Sequence, residues 1–163
     1  MTQQWLTQAF LNNTLLSTYS PTAPAALIYN LYVDTLFKFE LVDSSVCIFF
    51  PPLYNLTASS LKVYSAQTTF YQSQAGRAPR FGFPFDSTAQ NVKSHWTMFT
   101  AAGIATTPGL RNTLVTMVRD HANFNTTNPN AAFPSEYGDT TGAEQNGQAS
   151  PQQGGLFAIL ALG

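Results

Sequence analysis

Gly82-Phe83-Pro84-Phe85-Asp86-Ser87, followed by Lys93-Ser94-His95-Trp96-Thr97-Met98-Phe99-Thr100-Ala101-Ala102, is the stretch whose reading decides the fold. Its first half is turn chemistry. Gly82 and Pro84 punctuate the backbone, and Asp86-Ser87 can bond back to it. Its second half has helical spacing over Lys93–Ile104, with Trp96, Phe99, Thr100 and Gly103 on one side. Side chains capable of chemistry therefore fall in a loop just before a packed helix start. Free N–H groups point outward at such a start and favour anionic groups.

Outward from this stretch the chain reads as helix and loop in alternation. Residues Gln4 to Ser17 predict a short helix with Trp5, Ala9, Leu15 and Leu16 apolar, broken by Pro21 and Pro24. Ile28, Leu31, Tyr32, Thr35, Leu36 and Phe39 follow the i, i+3, i+4 rule of a second helix. Asp34 and Lys38 stand four apart on its other face. Val63, Ala66, Gln67, Phe70 and Tyr71 predict a third helix up to Gln74. After the central helix, Thr107-Pro108 makes a cap and a first turn. Leu110, Leu114, Met117, Val118 and His121 form the buried stripe that follows. Asn123 to Pro134 reads as a polar loop. Ser135 to Gly155 reads as one long polar loop, functional or disordered at that length. Gly154 to Leu162 closes the chain as an apolar helix that demands burial. With almost no alternating strand pattern, the expectation is an all-α fold of helical hairpins joined by long loops.

Val46 to Lys62 breaks the style, being apolar, interrupted by Pro51-Pro52 and without period. It reads either as a hydrophobic insertion or as a retained intron. Val46-Cys47 can be encoded by GTATGT, Asn55-Leu56-Thr57 can contain CTAAC, and Lys62 can be AAG. Excision would join Ser45 to Val63 in one helix entry.

Composition narrows the function classes. The 163 residues suffice for one domain with a core. Charged residues are only 9%, the formal net charge is −1, and neutral polar residues take their place. That disfavours a nucleic-acid binder. One cysteine, Cys47, and two histidines exclude a thiolate cluster and leave a thin ligand inventory, so neither metal nor cofactor is expected. No apolar run reaches the ~20 residues of a membrane span. Asn12, Asn55 and Asn125 head Asn-x-Ser/Thr triplets, which a Thr-rich chain also produces by chance. The first residues carry no signal peptide. A secreted-looking composition without that signal leads to the expectation that the front of a longer protein is missing.

Four motifs occur in order: Tyr29-Asn30-Leu31-Tyr32-Val33-Asp34, Phe83 to Ser87, Lys93 to Ala102, and Gly154-Gly155-Leu156-Phe157-Ala158-Ile159-Leu160-Ala161-Leu162. Together they resemble the C-terminal part of fungal glutaminase A proteins, from about Trp5 to Leu162. Val46–Lys62 is a segment which that family lacks. The resemblance implies the closing part of a six-hairpin, glycosidase-like (α/α)6 toroid, with 1–163 as a partial toroid. It implies an extracellular fungal parent protein that hydrolyses L-glutamine to L-glutamate and ammonia. It also implies a missing N-terminal part as the partner that completes the ring.

Residue chemistry supplies the candidate site. Asp86 suits a general base or a substrate-binding carboxylate, and equally an Asx turn. Lys93 suits the α-carboxylate of glutamine, or solvent in the first helical turn. Trp96 suits a pocket floor, or the core. Glu136 and Asp139 sit in the long loop, where Glu136 could pair with Asp86 as two working carboxylates. His95 is expected at the surface, and His121 as a satisfied core histidine. No Gly-x-Ser-x-Gly elbow supports a serine hydrolase. A glycan in the same cleft, and a fragment inactive alone, are the alternatives to glutamine.

Overall fold

The computed structural model describes residues 8–39, 63–124, 133–148 and 150–163. The insertion at 46–62, with Cys47 and Asn55, and the triplet at Asn125 lie outside the described residues. In chain order the elements are β1 (Phe10–Leu11), β2 (Thr14–Leu15), α1 (Leu31–Phe37), α2 (Val63–Ala75), β3 (Asn91–Lys93), α3 (Ser94–Gly103), α4 (Pro108–Ala122), β4 (Pro134–Gly138), β5 (Glu144–Gln148), a 3-10 helix (Pro151–Phe157) and α5 (Ala158–Ala161).

The central helix α3 forms where the sequence places it, and the other elements pack around it. It is buried on nearly all sides: Ser94, His95, Thr97, Met98, Thr100, Ala101 and Ala102 are inside. Its two buried threonine hydroxyls are satisfied locally, whereas Ser94 Oγ donates to Ser135 O on β4. Thr97 Oγ1 donates to the Lys93 carbonyl at 3.2 Å and Thr100 Oγ1 to the Trp96 carbonyl at 3.0 Å. Helix α4 buries the expected stripe of Leu110, Leu114, Met117, Val118 and His121. Pro108 occupies its first turn as predicted. Thr107 occupies the N-cap position as predicted, its carbonyl accepting from Arg111 N, but its side chain makes no capping bond; its Oγ1 accepts from Gln72 Nε2 at 2.8 Å.

The all-α expectation needs correcting, because a three-stranded antiparallel sheet in the order β3-β4-β5 lies beside the helices. The 135–155 loop is therefore mostly a hairpin. Its strands Pro-Ser-Glu-Tyr-Gly and Glu-Gln-Asn-Gly-Gln have no apolar alternation. Pairing to β3 and burial of Tyr137 hold them, and neither leaves a local signal.

The Gln4–Ser17 helix is corrected from Phe10 onward: Gln8 and Ala9 are helical, but β1 and β2 form a hairpin. Asn12 and Asn13 both take the left-handed conformation, φ 52° and 61°, which a two-residue hairpin turn requires. The second helix is shorter than expected and ends where Lys38 turns left-handed. Asp34 does not stand on an outer face with Lys38. It is buried, and Tyr64 Oη donates to its Oδ2 at 2.8 Å. Burial and that bond push the Tyr64 hydroxyl up to about 12.

The C-terminal apolar run is a 3-10 helix and one α turn, rather than a buried helix. Phe157 and Leu160 are exposed. Gly155 explains the close seating of the rest: a Cβ there would lie 2.7 Å from the Cβ of His95.

Candidate functional site

The loop holding Asp86 is strapped across the start of α3. Phe85 O accepts from Leu27 N at 3.0 Å, and Ser87 N donates to Ala25 O at 2.9 Å. Ser87 Oγ accepts from Ala25 N, and Phe85 N donates to Asn91 O. The Ala25–Ile28 segment is fixed in turn by buried Tyr71, whose hydroxyl accepts from Ile28 N and donates to Ala26 O.

Asp86 is half-buried, and its Oδ1 accepts from Thr88 N, Thr88 Oγ1 and Ala89 N at 2.7–3.0 Å. The Asx turn foreseen as one of its roles is therefore formed. The Thr88 hydroxyl, ahead of the backbone donors, holds its carboxyl below the usual range, so Asp86 is ionised at neutral pH.

Lys93 is not in the first turn of the helix but ends β3 in an extended conformation. Its ammonium lies 4.2 Å from the ring centroid of Trp96 and 5.5 Å from that of Phe85. Tyr29 stacks on Trp96 with centroids 3.8 Å apart and an angle of 11°. Trp96 thus carries both a cation and a stacked ring, and it lines a cavity of about 280 Å³ with Tyr29, Asn30, Phe85 and Asp86.

Glu136 is in strand β4 rather than in a loop. It is the register partner of Lys93, and its Oε1 accepts from Asn91 Nδ2 at 3.2 Å. Asp139 shapes the turn that follows: its carbonyl accepts from Phe81 N and its N–H donates to Gln90 O. The fold thus sets the Lys93 ammonium on Trp96 and pairs Lys93 in register with Glu136, while Trp96 and Asp86, but neither Lys93 nor Glu136, line the cavity of about 280 Å³. The fold gives Asp139 a backbone role.

His95 corrects the surface expectation, being only 6% exposed. Its ring meets Trp96 and Phe99 edge-on, and its Nδ1 has no hydrogen-bond partner. Burial, reinforced by the Lys93 charge, lowers its pKa against an opposing pull from Glu136. His121 is in the core as foreseen, but it is not fully satisfied, because its buried Nδ1 has no hydrogen-bond partner among the described residues. It stacks on Tyr137 at 3.4 Å, and its Nε2 lies 3.0 Å from Gly142 O. Among the described residues no group of three His, Cys, Asp or Glu side chains could hold a metal ion. No helix among them is long and apolar enough to cross a membrane.

Sequence reasoning assigned no role to Tyr29, Asn91 or Arg77. Tyr29 stands in one of the four quoted motifs, which was a usable signal. Asn91 and Arg77 lie in segments without pattern.

A family model described as the glutaminase A six helical-hairpin domain matches residues 1–160. The chain belongs to that family. It is 30% identical over 149 residues to Glutaminase A of Aspergillus oryzae, covering 88% of this chain and 18% of that protein. The chain therefore spans under a fifth of the length of this curated relative. No solved structure matches it.

Proposed function

We propose that this chain is the C-terminal portion of a secreted glutaminase-type amidohydrolase, which converts L-glutamine to L-glutamate and ammonia. One observation carries the reading beyond family membership. At the start of α3 the Lys93 ammonium rests on Trp96 and Lys93 pairs in register with Glu136, beside the strapped Asp86 loop. In this reading Asp86 and Glu136 are the working carboxylates, and Lys93 and Trp96 bind substrate. The two carboxylates are not equivalent. Asp86 already accepts three hydrogen bonds on one oxygen, which suits a fixed anion. Glu136 accepts from one neutral amide, which leaves it the better candidate to take a proton from an attacking water. Trp96 already carries the Lys93 ammonium and the stacked Tyr29 ring, which counts against sugar stacking. The partial toroid, the extracellular location and the missing N-terminal hairpins belong to the same proposal, as does a retained intron at 46–62.

Ammonia release from L-glutamine, measured beside reducing-sugar release from glycans, tests the activity. Glu136→Gln should lower ammonia release at least about a hundredfold if Glu136 is the base. Unchanged release would remove it from that role, and sugar release in its place would favour the glycan reading. Sequencing the mature transcript tests the intron.

A further inference from the structure

A second, smaller cavity of about 190 Å³ shares Ala26, Leu27 and Asp86 with the first. Its walls are largely apolar, with Phe70, Tyr71 and Phe83 among them, and its charged lining residues are Arg77 and Asp86. These two face the same space without pairing: among the described residues the only ion pair is Arg119–Asp120. The Arg77 guanidinium makes no hydrogen bond to the described residues, although its backbone N–H closes the end of α2 onto Gln74 O. Asp86 is held ionised and in place by its own turn. A rigid carboxylate and an uncommitted guanidinium across a small apolar cleft are complementary to one molecule carrying both charges. The volume falls below the ~300–1,000 Å³ of drug-sized sites, so the occupant is small.

We infer that this cavity is a subsite for a free α-amino acid zwitterion, with Arg77 gripping the carboxylate and Asp86 the ammonium. A planar guanidinium matches a carboxylate in two-point contact, which an ammonium cannot do. Gln74, at the wall of the same cavity, offers an amide to a polar side chain. The subsite rests on the amidohydrolase reading only for the choice of L-glutamine as the probe.

Calorimetric titration of the 163-residue chain tests it, with three probes: L-glutamine, N-acetyl-L-glutamine without the ammonium, and L-glutamine amide without the carboxylate. Saturable binding of L-glutamine is expected. Arg77→Gln should weaken it about tenfold and leave the carboxylate-free amide unaffected. Asp86→Asn should weaken L-glutamine but not the acetylated probe. Arg77 is exposed, so its replacement leaves the core untouched. Absence of saturable binding would overturn the subsite, as would an Arg77→Gln chain that binds L-glutamine like the wild type. Uniform loss across all three probes would do the same. The expected pattern without ammonia release would keep the subsite and sink the amidohydrolase reading. Ammonia release with a KM indifferent to Arg77 would do the reverse.

Discussion

Strand β3 is three residues long, and its two faces meet different worlds. On one face Val92 joins Tyr137, Phe81 and His121, all with at most 2% exposure. On the other, Asn91 and Lys93 join Glu136 and Trp96, all half-buried. The first face is closed: His121 is stacked on Tyr137 and its Nε2 lies 3.0 Å from Gly142 O, while its buried Nδ1 has no partner among the described residues. The second keeps the charged Lys93 and Glu136 half-buried. A single strand thus separates a part that holds the fold from the part proposed for chemistry. That contrast predicts that substitutions on the two faces will differ in kind.

The largest effect should come from the closed face. Tyr137→Ala would empty a fully buried site and strip His121 of its stacking partner. A loss of about 3–5 kcal/mol is expected in urea unfolding. A loss below about 1 kcal/mol would mean that the hairpin is an ornament. Gly142→Ala should follow at about 1–3 kcal/mol. Its φ is +66°, and an added Cβ would stand 2.8 Å from Phe81 and 2.9 Å from Phe124. Its melting temperature, compared with that of Gly109→Ala, whose Cβ meets nothing, isolates the clash.

Acidification probes both faces. Burial lowers the pKa of His95 and of His121 below the ordinary 6.5, so the unfolded chain binds protons that the folded one refuses. The stability they contribute is complete above about 6.5 and is lost as pH falls from there towards the depressed folded values. Thermal midpoints should fall between about pH 7 and about pH 5, and His121→Asn should flatten part of that slope. A flat wild-type profile would contradict the burial of both rings. The Asp86 contribution has the same sign but enters lower, below the ordinary carboxylate range.

The smallest change in stability is expected on the open face. Lys93→Gln should cost no more than about 1 kcal/mol, since its cation sits on a half-exposed ring. Under the proposed function it should still lower ammonia release. A variant that unfolds without touching activity would erase the contrast between the faces.

The two faces also differ in how well the sequence announces them. The helices that enclose the core repeat every three to four residues. Leu110, Leu114, Met117, Val118 and His121 could therefore be placed on one stripe before any coordinates. The motif around Lys93 to Ala102 likewise fixed the central helix. Strand β5 could not be found this way, because Glu144-Gln145-Asn146 is polar throughout and pairs only with what comes from Pro134–Gly138. Asn12-Asn13 did carry a hairpin signal, which the apolar residues around it masked. The candidate site was half legible. Asp86, Lys93 and Trp96 follow from loop-before-helix reasoning, whereas the pairing of Glu136 with Lys93 is a matter of strand register. The burial of His95 depends on Gly155, sixty residues away in sequence.

Amide-proton NMR of the chain, titrated with L-glutamine, tests the division most directly. Perturbed signals should gather at Ala26–Tyr29, Arg77, Phe85–Ser87, Lys93 and the Trp96 indole, while Phe81, Val92 and Tyr137 stay still. Shifts centred on His121 and Tyr137, or no shifts at all, would contradict it.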